Sequence, residues 1–282
     1  MRAARSKLLL LLPAAAVFVL FLVFPILIVL NESFHTFEPG RIGSVEGGPL
    51  TLANYAELFQ PVYGQYFAQT YVLAICSSAV SIVFALPIAY CIARTEFAWM
   101  QKAAISAIVG LMFLSSLVRV YALELTFGSA GVLAPLMSII DIDTNSRMYI
   151  NFVILAGLLQ YSIPMSILIL IGAIKNLNPR LTEAAMSLGA SALAAHLTVT
   201  IPLSMRGIVS AFLVSMTLGV SAFVIPLILG RGRILFISNL IYSRFSEVAN
   251  YPSGAAISIV MMVLALLLIL VMSRLATTLE RA

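Results

Sequence analysis

Long apolar runs without Asp, Glu, Lys or Arg alternate with short polar connections along the whole chain. The runs are Leu8–Asn31, Leu58–Ala93, Ala103–Val118, Met148–Ile174, Gly207–Gly230 and Val248–Ser273. The third run is short but continues through Arg119 to Leu123. A helix needs about 20 apolar residues to cross a hydrocarbon core of about 30 Å. Trimming the polar ends predicts six helices near 8–30, 67–93, 103–123, 149–173, 207–229 and 254–275. A charge at the centre of a span costs at least about 2.5–3.5 kcal/mol on insertion scales, so runs of this kind point to the bilayer as solvent. The opening MRAARSK followed by apolar residues has the charge pattern of a signal peptide. Its apolar run is longer than the usual 7–15 residues and no small-x-small site follows, so it is read as a retained first span.

Composition agrees. Of 282 residues, 62% are hydrophobic and 10% charged, against about 25% charged in a soluble domain. The expected organisation is a single transmembrane domain over 1–282. Helix one covers about 8–30, helices two to six form a core over about 66–276, and a long polar loop lies at 175–206. With the N-terminus inside, ten of the sixteen Lys and Arg residues fall on the inner side, which predicts two cytoplasmic termini. This asymmetry accounts for the basic balance without a nucleic-acid partner. Cys76 and Cys91 are about 22 Å apart on one helix, beyond disulfide reach, and are expected to pack. His35 and His196 lack ligand-spaced neighbours, so no metal site is expected.

The connections differ in what they predict. A loop of Gly- and Pro-containing sequence joins helices one and two outside, and GVLAPLMSII between helices three and four reads as a short surface helix. Pro25, Pro87, Pro164 and Pro226 fall within or near spans, where they shape helices or act as hinges. No internal repeat is evident, unlike many secondary carriers, and none of the spans has a central ionisable group for ion coupling. A secondary carrier is therefore the more distant alternative. No channel filter or charged ring is evident either.

The loop at 175–206 carries the most specific signal. Within NPRLTEAAMSLGASALAAHLTVTIP, Asn178 suits a helix cap and Pro179 its first position. Glu183 sits near the positive end of the helix dipole, and Gly189 suits a left-handed C-terminal cap. Ser191 can then cap a second helix, ALAAHLTV. The pattern Glu183-Ala184-Ala185, Gly189 and Val199-Thr200-Ile201-Pro202 resembles the EAA motif of permease subunits of bacterial ATP-binding-cassette (ABC) importers, with the family spacing intact. That resemblance implies an all-α membrane fold of six helices, with a cytoplasmic coupling helix between helices four and five. It also implies docking of that helix on a separate ATPase dimer. Glu183, Ala184, Ala185, Gly189 and Pro202 are the expected coupling residues. The chain itself has no Gly-Lys pair and hence no phosphate-binding loop, so ATP and Mg²⁺ are expected to be used by the partner. No catalytic residues and no cofactor are expected in this chain.

TLANYAELF, SLVRVYALE, FVIPLILG and NYPSGAAISI resemble stretches of spermidine/putrescine importer permeases, and the likeness runs over nearly the whole chain. It implies location in a bacterial inner membrane, a second permease subunit, related but different, and a periplasmic or lipid-anchored substrate-binding protein. It further implies a polyamine or a similar amine, opine or amino-acid-like solute. Iron(III), thiamine and aminophosphonates are the alternatives within the same machinery. Arg119, Tyr121 and Glu124 have two readings, interfacial anchors or lining of the outer vestibule. Arg119 opposes a polycation unless Glu124 pairs with it. Gln160 and Tyr161 are candidates for pathway contacts or interhelical bonds, as are Ser210, Thr217 and Ser221, which share one helical stripe with Val214.

Overall fold

A computed structural model describes residues 13–40 and 49–279, with side chains up to Arg274. The first residues of helix one, and Arg2, Arg5, Lys7 and Arg281 at the termini, lie outside the described residues. All regular structure among the described residues is helical. The helices are α1 (Pro13–Glu32), α2 (Ala53–Glu57), α3 (Pro61–Arg94), α4 (Ala98–Phe113), α5 (Ser116–Phe127) and α6 (Ala134–Ile139). They continue with α7 (Arg147–Lys175), α8 (Arg180–Ser187), α9 (Ala192–Leu203), α10 (Met205–Val220), α11 (Val224–Leu229), α12 (Ile237–Tyr242) and α13 (Tyr251–Leu279).

Four helices, α1, α3, α7 and α13, are long and apolar enough to span a membrane. Two bent pairs raise the number to six if each pair is counted as one span. The expected third helix, 103–123, is interrupted. Leu114 and Ser115 take extended conformations (ψ 135° and 131°), and α5 leaves α4 at 86°. At 16 residues α4 is about 24 Å long, short of a full span. The expected fifth helix, 207–229, is also broken, at Ser221–Phe223, between α10 and α11. α9 meets α10 at 72° through Ser204, whose hydroxyl donates back to the carbonyls of Thr200 and Ile201. By contrast, Pro87 and Pro164 lie inside α3 and α7, each of which is a single helix. α1 is apolar on all sides and almost wholly exposed, as expected of a helix solvated by lipid.

The chain groups into two compact units. One holds the segments 1–65 and 240–264, the other 66–239 and 265–282. In the larger unit α7 is the central helix. Its buried positions Ile150, Val153, Ile154, Gly157 and Leu158, then Ile167, Leu170, Ile171 and Ile174, recur at three- and four-residue spacing. The first group packs with Val120, Ile225, Leu229 and Phe236, and the second with Ala85, Ala89 and Ala211. Lipid is as apolar as these side chains, so close packing and interhelical hydrogen bonds hold the helices rather than expulsion of water. Small residues make this possible. A Cβ on Gly219 of α10 would stand 3.0 Å from the Cβ of Ala74 on α3. Serines link three helices in the same region: Ser81 of α3 lies 3.2 Å from Ser166 of α7, which lies 2.8 Å from Ser215 of α10.

In the smaller unit Asn54 pins the end of α1. Its buried amide donates to the carbonyls of Ser33 (3.0 Å) and His35 (2.8 Å), while the Tyr55 hydroxyl meets that of Ser33 at 2.6 Å. Arg244 bonds Glu57 at 3.2 Å and the Tyr63 hydroxyl at 2.5 Å, and Tyr63 also donates to Glu57. These contacts give the TLANYAELF stretch a structural role that periodicity does not reveal. Cys76 and Cys91, expected to pack, are both exposed on the isolated chain.

Candidate functional site

The loop between α7 and α10 folds as two short helices around a glycine. The Asn178 side-chain oxygen accepts the Arg180 amide at 3.1 Å, and Glu183 falls in the first turn of α8. Gly189 ends α8 with φ +96°. The Ala190 amide reaches back to the Ala185 carbonyl (3.1 Å) and the Gly189 amide to Met186 (3.0 Å), the paired bonds of a Schellman cap. Ser191 then caps α9 by accepting the Ala194 amide. Val199–Pro202 lies inside α9, which includes a π-turn at His196–Thr200. Pro202 is exposed.

Glu183, Ala184 and Gly189 are exposed and Ala185 is half-buried. Around them Leu181, Met186, Leu188, Leu193 and Leu197 also stand exposed, Leu188 at 90%. The two short helices thus present an apolar surface beside an acid.

The inward side of the loop is held by polar contacts that the sequence reading did not include. Thr182, the buried residue of α8, lies 3.3 Å from the hydroxyl of Thr200. Thr200 lies 3.1 Å from His196 Nδ1, and the His196 ring stands edge-on to Tyr90 of α3 with centroids 4.5 Å apart. Nearby, Arg94 donates to the carbonyls of Ile174 (3.1 Å) and Leu177 (2.8 Å), closing the end of α7. Lys175 bonds Gln101, which in turn bonds the Ile92 carbonyl.

The expected pathway residues separate into four places. Arg119 of α5 lies over the ring of Tyr161 at 4.0 Å and reaches the Gln160 carbonyl at 3.4 Å. The Arg119 Nε and Gln160 Nε2 atoms are buried without a hydrogen-bond partner. Tyr161 also lines a cavity of about 190 Å³ bounded by Ser116, Ser162, Leu218, Gly219 and Phe223, at the break between α10 and α11. Glu124 does not pair with Arg119. It is engaged by Arg231, at 3.1 Å from Nε and 3.4 Å from Nη2, while Arg231 also donates to the carbonyls of Thr144 and Phe127. Arg231 was not singled out in the sequence because it stands 107 residues from Glu124 and neither position has a periodic signal. Tyr121 points outward, 55% exposed.

Ser210 and Thr217 of α10, with Ser221 just past its end, form an exposed stripe, each hydroxyl bonded to a carbonyl one turn back. The buried side of the helix is instead Ala211, Ser215, Met216 and Gly219. Sequence periodicity locates both sides but does not say which one packs within the chain.

No family model matches the chain. It is similar to the spermidine/putrescine transport system permease protein PotB of Haemophilus influenzae, at 29% identity over 93% of this chain and 91% of that protein. It is 28% identical to PotB of Escherichia coli K12, over 93% of this chain and 95% of the relative. The inner membrane ABC transporter permease protein YdcU of the same organism is 26% identical over 89% of this chain. Among solved structures, a chain of a bacterial alginate ABC transporter in complex with an alginate pentasaccharide-bound periplasmic protein superposes with a TM-score of 0.73. The match covers 99% of this chain and 97% of that one at 21% identity, a likeness of fold. An amino acid ABC transporter matches at a TM-score of 0.51 and 16% identity. With its apolar helices, its fold and these relatives taken together, the chain is a multi-pass membrane permease subunit of the ABC-importer kind, homologous to the permeases of spermidine/putrescine transport systems.

Proposed function

We infer that this chain forms half of a solute pathway across a bacterial inner membrane and receives its driving force through α8. The carrying observation is the helix–Gly–helix loop, in which the EAA spacing coincides with a Schellman cap at Gly189. The Lys/Arg distribution supports an orientation with both termini and this loop in the cytoplasm. There the exposed apolar residues around Glu183 fit a groove on an ATPase subunit. That partner binds ATP and Mg²⁺, and this chain contributes no catalytic group. A second, related permease completes the pathway. The stripe Ser210–Thr217–Ser221, small and unpacked within this chain, suits either that neighbour or the pathway itself. A periplasmic or lipid-anchored binding protein delivers solute to the outer loops.

The relatives' names make spermidine and putrescine the first candidate solutes. One observation favours a second class. Arg119 rests on Tyr161 with no carboxylate partner among the described residues, because Glu124 is engaged by Arg231. A polycation passing this point meets an unopposed guanidinium, whereas an amine that also carries a carboxylate or phosphonate gains a charge-assisted bond. Opines, 4-aminobutyrate-like compounds and aminophosphonates meet that requirement. Labelled uptake by the complete reconstituted complex, competed with putrescine, spermidine and 4-aminobutyrate, separates the two classes. Competition by the diamine alone supports the polyamine reading, competition by the amino acid alone supports the second, and competition by neither rejects both.

A further inference from the structure

We propose that Tyr90, His196, Thr200 and Thr182 form a polar strut that keeps α8 in register with the long helix α3, with His196 and Thr200 as positioning residues for coupling. The inference rests on the docking role given to α8 above. The strut crosses three elements: Thr182 lies on α8, Thr200 and His196 on the π-turn of α9, and Tyr90 near the end of α3. Its contacts are 3.3 Å between the threonine hydroxyls, 3.1 Å from Thr200 to His196 Nδ1, and 4.5 Å between the His196 and Tyr90 ring centroids.

Three features separate this cluster from ordinary packing. First, Thr182 is the residue that α8 buries, at 7% exposure, and it meets its hydroxyl partner at 3%. Burying hydroxyls is unfavourable unless they are paired, so two apolar side chains would fill the space more simply. What the hydroxyls add is direction: a hydrogen bond weakens steeply when its geometry is lost, whereas apolar surfaces slide. Second, the π-turn starts at His196 and ends at Thr200, the two strut residues of α9. Such turns recur at functional positions in helices. Third, Thr200 is shared. Its single hydroxyl meets both the Thr182 hydroxyl and His196 Nδ1, so the orientation of the α8 end is linked to that of the imidazole end. Meanwhile Arg94 fastens the ends of α3 and α7 to each other, giving the strut a fixed frame to act against.

The test uses the whole complex, this permease with its ATPase, partner permease and binding protein, in proteoliposomes. The variant Thr182→Val with Thr200→Val removes both hydroxyls at nearly constant volume, and the corresponding serine pair retains them. Solute moved per ATP hydrolysed is the readout, with co-purification of the ATPase as the assembly control. The valine pair is expected to assemble normally and to move at least fivefold less solute per ATP. The serine pair is expected to stay within twofold of wild type. His196→Phe is expected to lower the ratio in the same direction, and it carries the test if the valine pair does not assemble. An unchanged ratio in an assembled valine pair, or in His196→Phe if that pair is lost, overturns the proposal. Failure of the docking reading is distinguishable, because the ATPase would then remain bound when 180–187 is replaced by a Gly/Ser linker.

Discussion

Replacing Gly189 isolates the backbone geometry of the helix–Gly–helix loop from its side-chain contacts. The residue has φ +96°, and a Cβ built there meets no atom within 4 Å. Substitution therefore costs no packing, only conformation. An L-residue in the left-handed region costs about 1–2 kcal/mol, which corresponds to a factor of about 5–30 in the equilibrium between the native cap and alternatives. What is lost is local: the Ala190-to-Ala185 and Gly189-to-Met186 bonds that end α8 and turn the chain into α9. Asparagine tolerates this conformation better than alanine. Aspartate adds a negative charge at the helix C-terminus, unfavourable by a further ~0.3–1 kcal/mol. Transport should thus fall in the order Gly, Asn, Ala, Asp, with Gly189→Ala several-fold down and Gly189→Asp lowest, while thermal unfolding of the purified permease stays near wild type. The assay is ATP-driven uptake and solute-stimulated ATP hydrolysis in proteoliposomes. Wild-type activity of both the alanine and aspartate variants at normal expression would refute the reasoning, since it would mean that the cap geometry is not used.

Other perturbations follow from the same contacts. Glu124→Gln leaves Arg231, only 16% exposed, without its counter-charge; a loss of about 1–3 kcal/mol is expected by thermal unfolding, with Glu124→Gln plus Arg231→Met recovering part of it. Recovery of nothing by the double variant would show that the two residues act independently. Asn54→Ala removes both carbonyl contacts at the end of α1 and is expected to speed proteolysis within the 33–57 segment, with helix content unchanged. Ser166→Leu overfills the junction of α3, α7 and α10, where Ser166 is wholly buried between Ser81 and Ser215. It should destabilise by about 1–3 kcal/mol, and Ser166→Ala by about 1 kcal/mol.

The apolar runs were sufficient to locate the long helices because a bilayer imposes length and composition together. α3, α7 and α13 lie within a few residues of the expected bounds, the main difference being α3, which starts at Pro61 rather than near 67. The two breaks were not legible. Leu114 and Ser115 include no Gly or Pro, so nothing local marks the extended conformation that redirects α5, the helix that buries Val120 in the core. Ser221–Phe223 likewise looks apolar enough to continue a helix. In the loop between α7 and α10 the cap residues were legible because capping is local chemistry: Asn178, Gly189 and Ser191 each act within a few residues of themselves. Long-range partners were not. Arg231 with Glu124, Thr182 with Thr200 and Tyr90 with His196 are pairs that only folding brings together, and a single sequence contains no signal that links them.

Nucleotide-dependent uptake reports whether a separate ATPase drives this permease. The permease pair and binding protein are placed in proteoliposomes with or without the ATPase subunit, and labelled putrescine or 4-aminobutyrate is followed in the presence of ATP. Accumulation against a gradient is expected only with the ATPase present, and is abolished when 180–187 is replaced by a Gly/Ser linker. Accumulation without the ATPase, or undiminished by that replacement, would contradict this expectation.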